Sequence, residues 1–278
     1  MLITGLKRKE TEMKIALVKI SGKTISEFLS SEKWIETFKK LKLEFNGIVL
    51  VHGAGKSITE WSEKLGLETK FVNGQRVTTK EQMEVVAAVQ AGVLNSQLTA
   101  KLNSSGFKAV GLSGIDHGTF VASYFNKELG FVGKPELVGS TEWINELLAN
   151  QVLPVFSSVC ADAGGNLMNV NADVFAESLA AAIGADTIFF VSDVDGVKIN
   201  KEIKSTLTEE EIITGIVNGD ITDGMIPKLQ SCMELLKKGI NKIWIGSQIN
   251  YQSKISIINS GTWIINSDEK QYELHRTA

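Results

Sequence analysis

Short apolar runs alternate with stretches of helical periodicity along most of the chain. The runs at residues 14–20 (KIALVKI) and 47–52 (GIVLVH) are rich in β-branched side chains and each lead into a glycine turn, which is typical of buried strands. Further strands are predicted at residues 108–112, 152–159, 187–192 and 242–245. Because helical stretches separate these runs, the pattern predicts parallel strands joined by crossover helices.

The helical stretches carry apolar residues at a spacing of three and four. Two of them begin with a capping box, in which Thr79 precedes Gln82 and Thr208 precedes Glu211. Helices are predicted at residues 26–43, 57–65, 79–102, 141–150, 172–183, 208–218 and 225–238. Residues 119–138 alternate between apolar and polar side chains instead, which predicts hairpins at an edge or a lid.

The order of these elements predicts an α/β fold, a three-layer αβα sandwich around a mostly parallel central sheet. We expect a single domain over residues 14–278, because no linker or repeat interrupts the pattern. A division into two intimate lobes is expected near residues 159–170, with an N-lobe over about 14–159 and a C-lobe over about 160–278. Residues 1–13 lack the apolar segment of a signal peptide and are expected to form a short extension.

Composition excludes several classes of protein. Of 278 residues, 43% are hydrophobic and 22% charged, which is typical of a globular protein. The 29 basic and 32 acidic residues are dispersed, so no nucleic-acid partner is expected. No apolar run approaches the ~20 residues that span a bilayer, so no membrane partner is expected either. Cys160 and Cys232 fit reduced thiols in a cytoplasmic protein.

Four loops carry the candidate chemistry: 19–23 (KISGK), 52–56 (HGAGK), 169–173 (NVNAD) and 192–197 (SDVDGV). In open α/β sheets, ligands bind where the carboxyl ends of strands meet such loops. Glycines there can present backbone N–H groups to phosphate, although either glycine loop alone is more simply a tight turn. Lys19 is more informative, because an amine near the end of an apolar strand is costly to bury without a partner. Its simpler interpretation is a snorkelling side chain.

Five segments, taken in their order and spacing, resemble the amino acid kinase family and within it the acetylglutamate kinase branch. They are residues 71–78 (FVNGQRVT), 109–114 (AVGLSG), 167–173 (LMNVNAD), 192–197 (SDVDGV) and 221–228 (ITDGMIPK). The combination of NGxRVT with NVNAD is the most specific part. The resemblance runs from about residue 14 to the C-terminus.

The resemblance implies transfer of a phosphoryl group from ATP to the side-chain carboxylate of N-acetyl-L-glutamate. The product would be N-acetylglutamyl 5-phosphate, an intermediate of arginine biosynthesis. It also implies that the N-lobe binds the acyl-amino acid and the C-lobe binds ATP, with Mg²⁺ carried by the nucleotide phosphates. A carboxylate is already ionised at neutral pH, so the reaction needs positioning and charge neutralisation rather than a general base.

The same resemblance implies a role for individual residues. Lys19 and Lys228 would contact the transferred phosphoryl group, and Asp173 would organise both lysines. Backbone N–H groups at the glycine loops would bind that group as well, at Gly22, Ala54 and Gly55. The amino acid would be held by Arg76 and Asn169, with Asn171 nearby. The nucleotide pocket would be lined by Asp193, Val194, Asp195, Gly196, Val197, Lys198, Asp220, Ile221, Thr222 and Met225.

Two residues depart from the family pattern, because Ser21 and Ala54 stand where glycines are usual. Alanine keeps its N–H group, but a positive φ at that position would cost ~1–2 kcal/mol. Its methyl group could also narrow the site. Since every charged residue of the pattern is intact, we expect these changes to retune the acyl-group pocket rather than abolish activity.

A homodimer that arginine does not inhibit is expected. Arginine-inhibited members of the family carry a longer N-terminal helix that links dimers, and the polar extension here has no comparable apolar face. A candidate dimer surface lies on the predicted helix 79–102, at Val85, Val86, Val89, Val93 and Leu94. The alternative is that these residues pack on the chain's own sheet.

Several alternatives remain at this point. The same reaction could act on N-succinylglutamate or on an aminoadipate derivative. A related kinase, such as aspartokinase, carbamate kinase or uridylate kinase, fits the NGxRVT segment less well. A non-catalytic sensor of amino acids or nucleotides on the same scaffold would not need Lys19, Asp173 and Lys228, all of which are present.

Overall fold

The computed structural model describes residues 13–222, 224–249, 251–252, 257–258 and 260–267. The strands in chain order are β1 (Ile15–Ile20), β2 (Gly47–His52), β3 (Phe71–Val72), β4 (Gln75–Arg76), β5 (Lys108–Ser113), β6 (Phe120–Tyr124), β7 (Val132–Leu137), β8 (Val152–Ser157), β9 (Val159–Ala161), β10 (Leu167–Val170), β11 (Thr187–Val191), β12 (Lys198–Ile199), β13 (Glu202–Ile203), β14 (Thr206–Leu207), β15 (Lys242–Gly246), β16 (Tyr251–Gln252), β17 (Ile257–Ile258) and β18 (Thr262–Ile265).

The helices are α1 (Ile25–Ser30), α2 (Glu32–Glu44), α3 (Gly55–Lys64), α4 (Lys80–Val86), α5 (Asn95–Ser104), α6 (Glu142–Ala149), α7 (Ala172–Ile183), α8 (Glu209–Val217) and α9 (Ile226–Lys237). A π-helical segment, Ala87–Leu94, joins α4 to α5 without a break. Short 3₁₀ turns lie at Asp116–Gly118 and Lys127–Leu129.

Eight strands form the central sheet in the order β14-β18-β15-β11-β1-β2-β8-β5. Every neighbouring pair is parallel except β15 with β18. One hydrophobic core joins the sheet to α6, α7, α8 and α9, and a second joins its other face to α1–α5. The predicted αβα sandwich with a mostly parallel sheet is therefore confirmed.

The central strand β1 shows how the sheet directs its side chains. Ile15 and Leu17 belong to the core beneath α7, whereas Val18 and Ile20 belong to the core on the other face. Successive side chains of a strand point to opposite faces, so Lys19 lies on the same side as Leu17. The amine is thereby directed towards α7.

A separate four-stranded sheet, β6-β7-β10-β9, packs beside the central one. The predicted hairpin corresponds to the antiparallel pair β6 and β7. In this sheet β10 runs parallel to β7, with Asn169 opposite Val132. The last two residues of β10, Asn169 and Val170, are the first two of the NVNAD segment.

Two sequence predictions about helices need correction. The predicted helix 26–43 is two helices, because Ser31 adopts an extended conformation and its hydroxyl accepts from the backbone N–H of Lys33 to begin α2. The long helix beginning after Thr79 is confirmed with its capping box, but its middle is the π-helical segment Ala87–Leu94.

The candidate dimer surface on this long helix is also wrong for most of its members. Val85, Val86, Val89 and Leu94 are buried in the chain's own core, and Val93 is half-buried. These side chains therefore stabilise the fold, in agreement with the alternative that they pack on the chain's own sheet. None of the helices in the described ranges is long and apolar enough to cross a bilayer.

Both cysteines are free and buried, Cys160 in β9 and Cys232 in α9. Burial raises the pKa of each thiol to about 12. Residues 1–12 of the predicted extension lie outside the described residues.

Candidate active site

A cavity of about 1020 Å³ opens at the carboxyl ends of β1 and β2, beside the four-stranded sheet. Its walls come from loops that are distant in sequence: residues 19–23, 53–56, 169–173 and 192–193, together with α3 and the β3–β4 hairpin. All four loops singled out in the sequence contribute to this one cavity. The parallel topology brings them together, as expected for the carboxyl edge of such a sheet.

Lys19 and Asp173 line the cavity, and Lys228, which is not among the lining residues, pairs with the same carboxylate. The Nζ of Lys19 lies 2.6 Å from Oδ1 of Asp173, and the Nζ of Lys228 lies 3.7 Å from Oδ2. Asp173 stands in the first turn of α7, and Lys228 in the first turn of α9, with its amine 4.9 Å from the ring centroid of Phe190. Two amines and one carboxylate thus meet at this point.

Burial and charge act in opposite directions in this cluster. Burial lowers the pKa of Lys19 below its usual range, and the nearby Lys228 adds to that, whereas Asp173 opposes it. Burial alone would raise the pKa of Asp173, but the charges and hydrogen bonds of Lys19 and Lys228 outweigh it, so this pKa lies below its usual value. Asp173 is therefore ionised at neutral pH, and it holds the amines of Lys19 and Lys228 close to each other beside the cavity.

The two glycine loops approach each other closely beside this cluster. A Cβ added at Gly22 would lie 2.8 Å from the backbone N of Gly55, so only glycine fits there. Ala54 has φ −152°, so it avoids the left-handed strain considered from the sequence, and its methyl group packs in the core beneath α1–α5. α3 begins at Gly55, which directs the N-terminus of that helix to the cavity.

Arg76 lies on the β3–β4 hairpin over the cavity and is only 8% exposed. Its Nη2 donates to the carbonyl of Gly55 at 2.9 Å and to Oγ1 of Thr59 at 2.7 Å, and its guanidinium stacks 4.8 Å from the ring centroid of Phe71. Burial lowers its pKa. No carboxylate among the described residues pairs with this guanidinium, which suits it to an anionic ligand.

Asn169 and Asn171 both line the cavity, in different ways. The Nδ2 of Asn169 donates to Oγ1 of Thr78 at 3.0 Å. The Oδ1 of Asn171 accepts from the backbone N–H of Asp173 at 2.8 Å and so caps α7. Asn171 therefore positions the helix that carries the central carboxylate.

The predicted nucleotide positions are spread over the loops after β11 and α8. Asp193 lines the main cavity and pairs with Lys23 at 2.6 Å, and Asp220 borders a second cavity of about 350 Å³. The side chains of Val197 and Ile221 are buried in the core, so only their backbone groups could meet a ligand. The other positions are not in the wall of the main cavity: Val194, Asp195, Gly196, Lys198, Thr222 and Met225.

Sequence reasoning missed Gln90 and Ser158, which are almost fully buried and line the cavity. Gln90 Nε2 donates to the carbonyl of His52 at 3.1 Å and to Oγ of Ser158 at 2.9 Å. One signal was available, since Gln90 is the single polar side chain in the apolar run 85–94. His52 itself is buried, which lowers its pKa to about 4, and its Nε2 atom lies 3.1 Å from Nδ2 of Asn95.

Comparison with known proteins identifies the family of this chain. Residues 14–247 match the amino acid kinase family. The chain belongs to that family. It is 39% identical over 235 residues to the acetylglutamate kinase of Bacillus licheniformis, covering 84% of the chain and 90% of the relative. It is 33% identical over 269 residues to the acetylglutamate kinase of Chlorobaculum tepidum, covering 95% and 94%.

Solved structures of this family's fold match as well. The smu.665 protein of Streptococcus mutans has a TM-score of 0.71 at 28% identity, covering 90% of this chain and 98% of that one. Carbamate kinase from Giardia lamblia bound to AMP-PNP has a TM-score of 0.64 at 15% identity, covering 92% and 99%, and supports the fold alone. The kinase family expected from the sequence is therefore confirmed.

Proposed function

We propose that this chain transfers the γ-phosphoryl group of ATP to the side-chain carboxylate of N-acetyl-L-glutamate, forming N-acetylglutamyl 5-phosphate for arginine biosynthesis. The observation that carries this proposal is the meeting of Lys19 and Lys228 on Asp173 at the wall of a cavity. We infer the substrate from the names of the similar proteins. We infer phosphoryl transfer from the charged side chains, which suit an anionic group.

The chemical difficulty is that one anion must attack another. The two amines would neutralise the transferred phosphoryl group, and Asp173 would keep them aimed at it without cancelling both charges. Backbone N–H groups at Gly22, Ala54 and Gly55 would add hydrogen bonds to the developing charge. No side chain needs to remove a proton, because the attacking carboxylate is already ionised.

The remaining site residues would orient the reactants. Arg76 would bind a carboxylate of the amino acid with its planar guanidinium, and Asn169 would hold the same substrate, with Asn171 nearby. The nucleotide would lie towards Asp193 and the loop at Asp220. The other positions that we assign to the nucleotide are Val194, Asp195, Gly196, Val197, Lys198, Ile221, Thr222 and Met225.

Magnesium would reach the site on the nucleotide. Asp173 is paired with Lys19 and Lys228, and Asp193 with Lys23, so these two carboxylates are already neutralised by lysine. Within the described ranges, no group of three or more His, Cys, Asp or Glu side chains could hold a metal ion. The ATP phosphates would therefore hold Mg²⁺, whose charge would offset theirs.

Substrate assays on the purified chain test the activity. ATP consumption is measured with N-acetyl-L-glutamate, N-succinyl-L-glutamate, an N-acylated aminoadipate and free L-glutamate. Turnover with N-acetyl-L-glutamate at the highest kcat/KM is the expected result. Preference for another acyl group would move the proposal to that substrate, and absence of turnover with every N-acyl amino acid would contradict it.

Arg76→Ala tests the orientation of the substrate. We expect its KM for the acyl-glutamate to rise about tenfold or more, because a buried charged hydrogen-bond donor is lost, while its KM for ATP stays close to that of the wild type. Lys70→Ala, an exposed change beside the same hairpin, is the control. An unchanged KM for the amino acid in Arg76→Ala would contradict the role of Arg76.

The homodimer and the cytoplasmic location expected from the sequence remain proposals. Light scattering of the purified chain tests the first, with twice the chain mass of 30.3 kDa expected.

A further inference from the structure

Gln90 combines deep burial with access to the cavity. It lies in the π-helical segment Ala87–Leu94, is 2% exposed, and is one of the residues that line the cavity. Single π turns within helices are frequent at functional sites. With Ser158, Val132 and Asn169, it forms what we call the cavity floor.

Hydrogen bonds determine which way the Gln90 amide is turned. The backbone carbonyl of His52 can only accept, so the group 3.1 Å from it must be the Nε2 donor. The second hydrogen of Nε2 goes to Oγ of Ser158, whose own proton goes to the carbonyl of Val170 at 2.7 Å. Both amide hydrogens are therefore used within the protein.

The amide oxygen is left as an available acceptor. Among the residues that the structure describes, Oε1 of Gln90 has no hydrogen-bond partner, yet it is not a fully buried atom. A polar atom held at the floor of a cavity without a protein partner is suited to a ligand, and here the ligand must supply a donor.

The proposed substrate has one donor of this kind. An N-acylated glutamate carries two carboxylates, which only accept, and one amide N–H. If the side-chain carboxylate lies near Lys19 and the other carboxylate near Arg76, the third substituent of the α-carbon is the acylated nitrogen. The cavity floor offers an acceptor to that nitrogen, the unpartnered Oε1 of Gln90.

We propose that Gln90 determines specificity for the acylated amino group, its Oε1 accepting the substrate's amide N–H at the cavity floor. This inference rests on the proposed function and names a recognition residue within it. Gln90 contacts His52 and Ser158 rather than the lysines that would hold the phosphoryl group, so its effect belongs to binding of the amino acid rather than to the chemical step.

A change in the ligand tests this contact without disturbing the protein. In (S)-2-acetoxyglutarate an ester oxygen replaces the N–H of N-acetyl-L-glutamate, with little change in shape. Dissociation constants of both ligands are measured by calorimetry for the wild type and for Gln90→Met. We expect the wild type to bind the ester about tenfold more weakly, as for the loss of one hydrogen bond, and Gln90→Met to bind the two ligands about equally.

Asn95→Leu is the matched control. Asn95 begins α5 just beyond the π-helical segment, is buried, and contacts the Nε2 atom of His52 at 3.1 Å, but it does not line the cavity. This variant is expected to keep the wild-type discrimination between amide and ester, and to keep its KM for ATP.

Each outcome decides one question. The role of Gln90 would be overturned if the wild type and Gln90→Met distinguished the amide from the ester equally well. It would also be overturned if Asn95→Leu lost this distinction as Gln90→Met does. Either result would leave the kinase proposal intact. Failure of the wild type to bind or phosphorylate any N-acyl amino acid would instead remove the proposed function, and the inference with it.

Discussion

Lys19 occupies a position in β1 where an apolar side chain would normally be expected. Its neighbours in the strand are buried, and its own residue is 7% exposed. A lysine amine is costly to bury without a partner, and Asp173 supplies that partner at 2.6 Å. The two amines therefore depend on Asp173, because its removal would leave them facing each other without a carboxylate between them.

Removing the second amine is expected to affect chemistry more than folding. Lys228→Ala should lower kcat by roughly 100-fold or more, because one preorganised charge contact with the transferred group is lost. Circular dichroism and the melting temperature should stay close to those of the wild type.

Lys237→Ala is the control for that variant, because Lys237 lies on the same helix and pairs with Glu209 and Glu234 on the surface. Its kcat should remain that of the wild type. A Lys228→Ala enzyme with near-normal kcat would show that the second lysine takes no part in the transfer.

Glu177 lies one turn after Asp173 on α7 and gives stability a pH dependence. Burial and then repulsion from Asp173 raise its pKa to about 7, despite a hydrogen bond with Ser231 and the charges of Lys228 and Lys238. The unfolded chain releases this proton near pH ~4.3. The folded protein thus binds more protons between these values, so the contribution of Glu177 to stability falls as pH rises through that window.

Glu177→Gln should remove this dependence, because glutamine stays neutral at every pH. The melting temperature of Glu177→Gln minus that of the wild type should therefore be larger at about pH 8 than at about pH 5. Glu84→Gln, an exposed change on α4, supplies the comparison. An equal difference from the wild type at both pH values would refute the titration of Glu177 in this window.

At the residue scale, the sequence predicted the residues that lie in recognisable motifs better than those that do not. Lys19, Asp173 and Lys228 lie in recognisable segments, and each charge needs a partner once it is buried. Gln90 lies in the π-helical segment and Glu177 in α7. Apart from the position of Gln90 in an apolar run, only the three-dimensional packing shows that these side chains turn inwards.

At the scale of elements, the two glycine loops approach each other so closely that no side chain fits between them. Gly22→Ala would bring a methyl group 2.8 Å from the backbone N of Gly55, so the loops must separate. We expect kcat to fall by roughly tenfold or more, because displaced N–H groups no longer match the transferred group. Gly92→Ala, where the nearest atom is 3.9 Å away, should keep wild-type kcat, and equal kcat for both variants would contradict this reasoning.

Elements with a strong local cause were predictable. Both capping boxes are present as expected, at Thr79 and Thr208, and β2 has the predicted bounds Gly47–His52. The two-residue strands, such as β3 and β4, have no such local signal, because they exist only through pairing with each other. The break at Ser31 was missed for a similar reason, since the apolar spacing continues through it into α2.

At the scale of the whole molecule, the two expected lobes share both their sheet and their core. β1 pairs with β2 on one side and with β11 on the other. The core beneath α7 contains Val49 and Ile144 from the N-lobe together with Leu179 and Leu229 from the C-lobe. Because the lobes share this sheet and this core, we expect that neither lobe remains folded once the other unfolds.

Thermal unfolding should therefore occur as one cooperative transition, with the calorimetric and van't Hoff enthalpies in agreement. Differential scanning calorimetry measures both quantities directly. Two resolved transitions, of which a bound ATP analogue shifted only the later one, would show that the lobes unfold independently.

The burial of Cys160 and Cys232 has a practical consequence for measuring motion in this enzyme. A thiol with a pKa of about 12 is almost entirely protonated at neutral pH, so alkylating reagents react with it slowly. A cysteine introduced at Val72, which is 49% exposed on the β3–β4 hairpin, would therefore take up a fluorescent label selectively. The hairpin that carries Arg76 can thus be followed by spectroscopy in a chain that keeps both of its own cysteines.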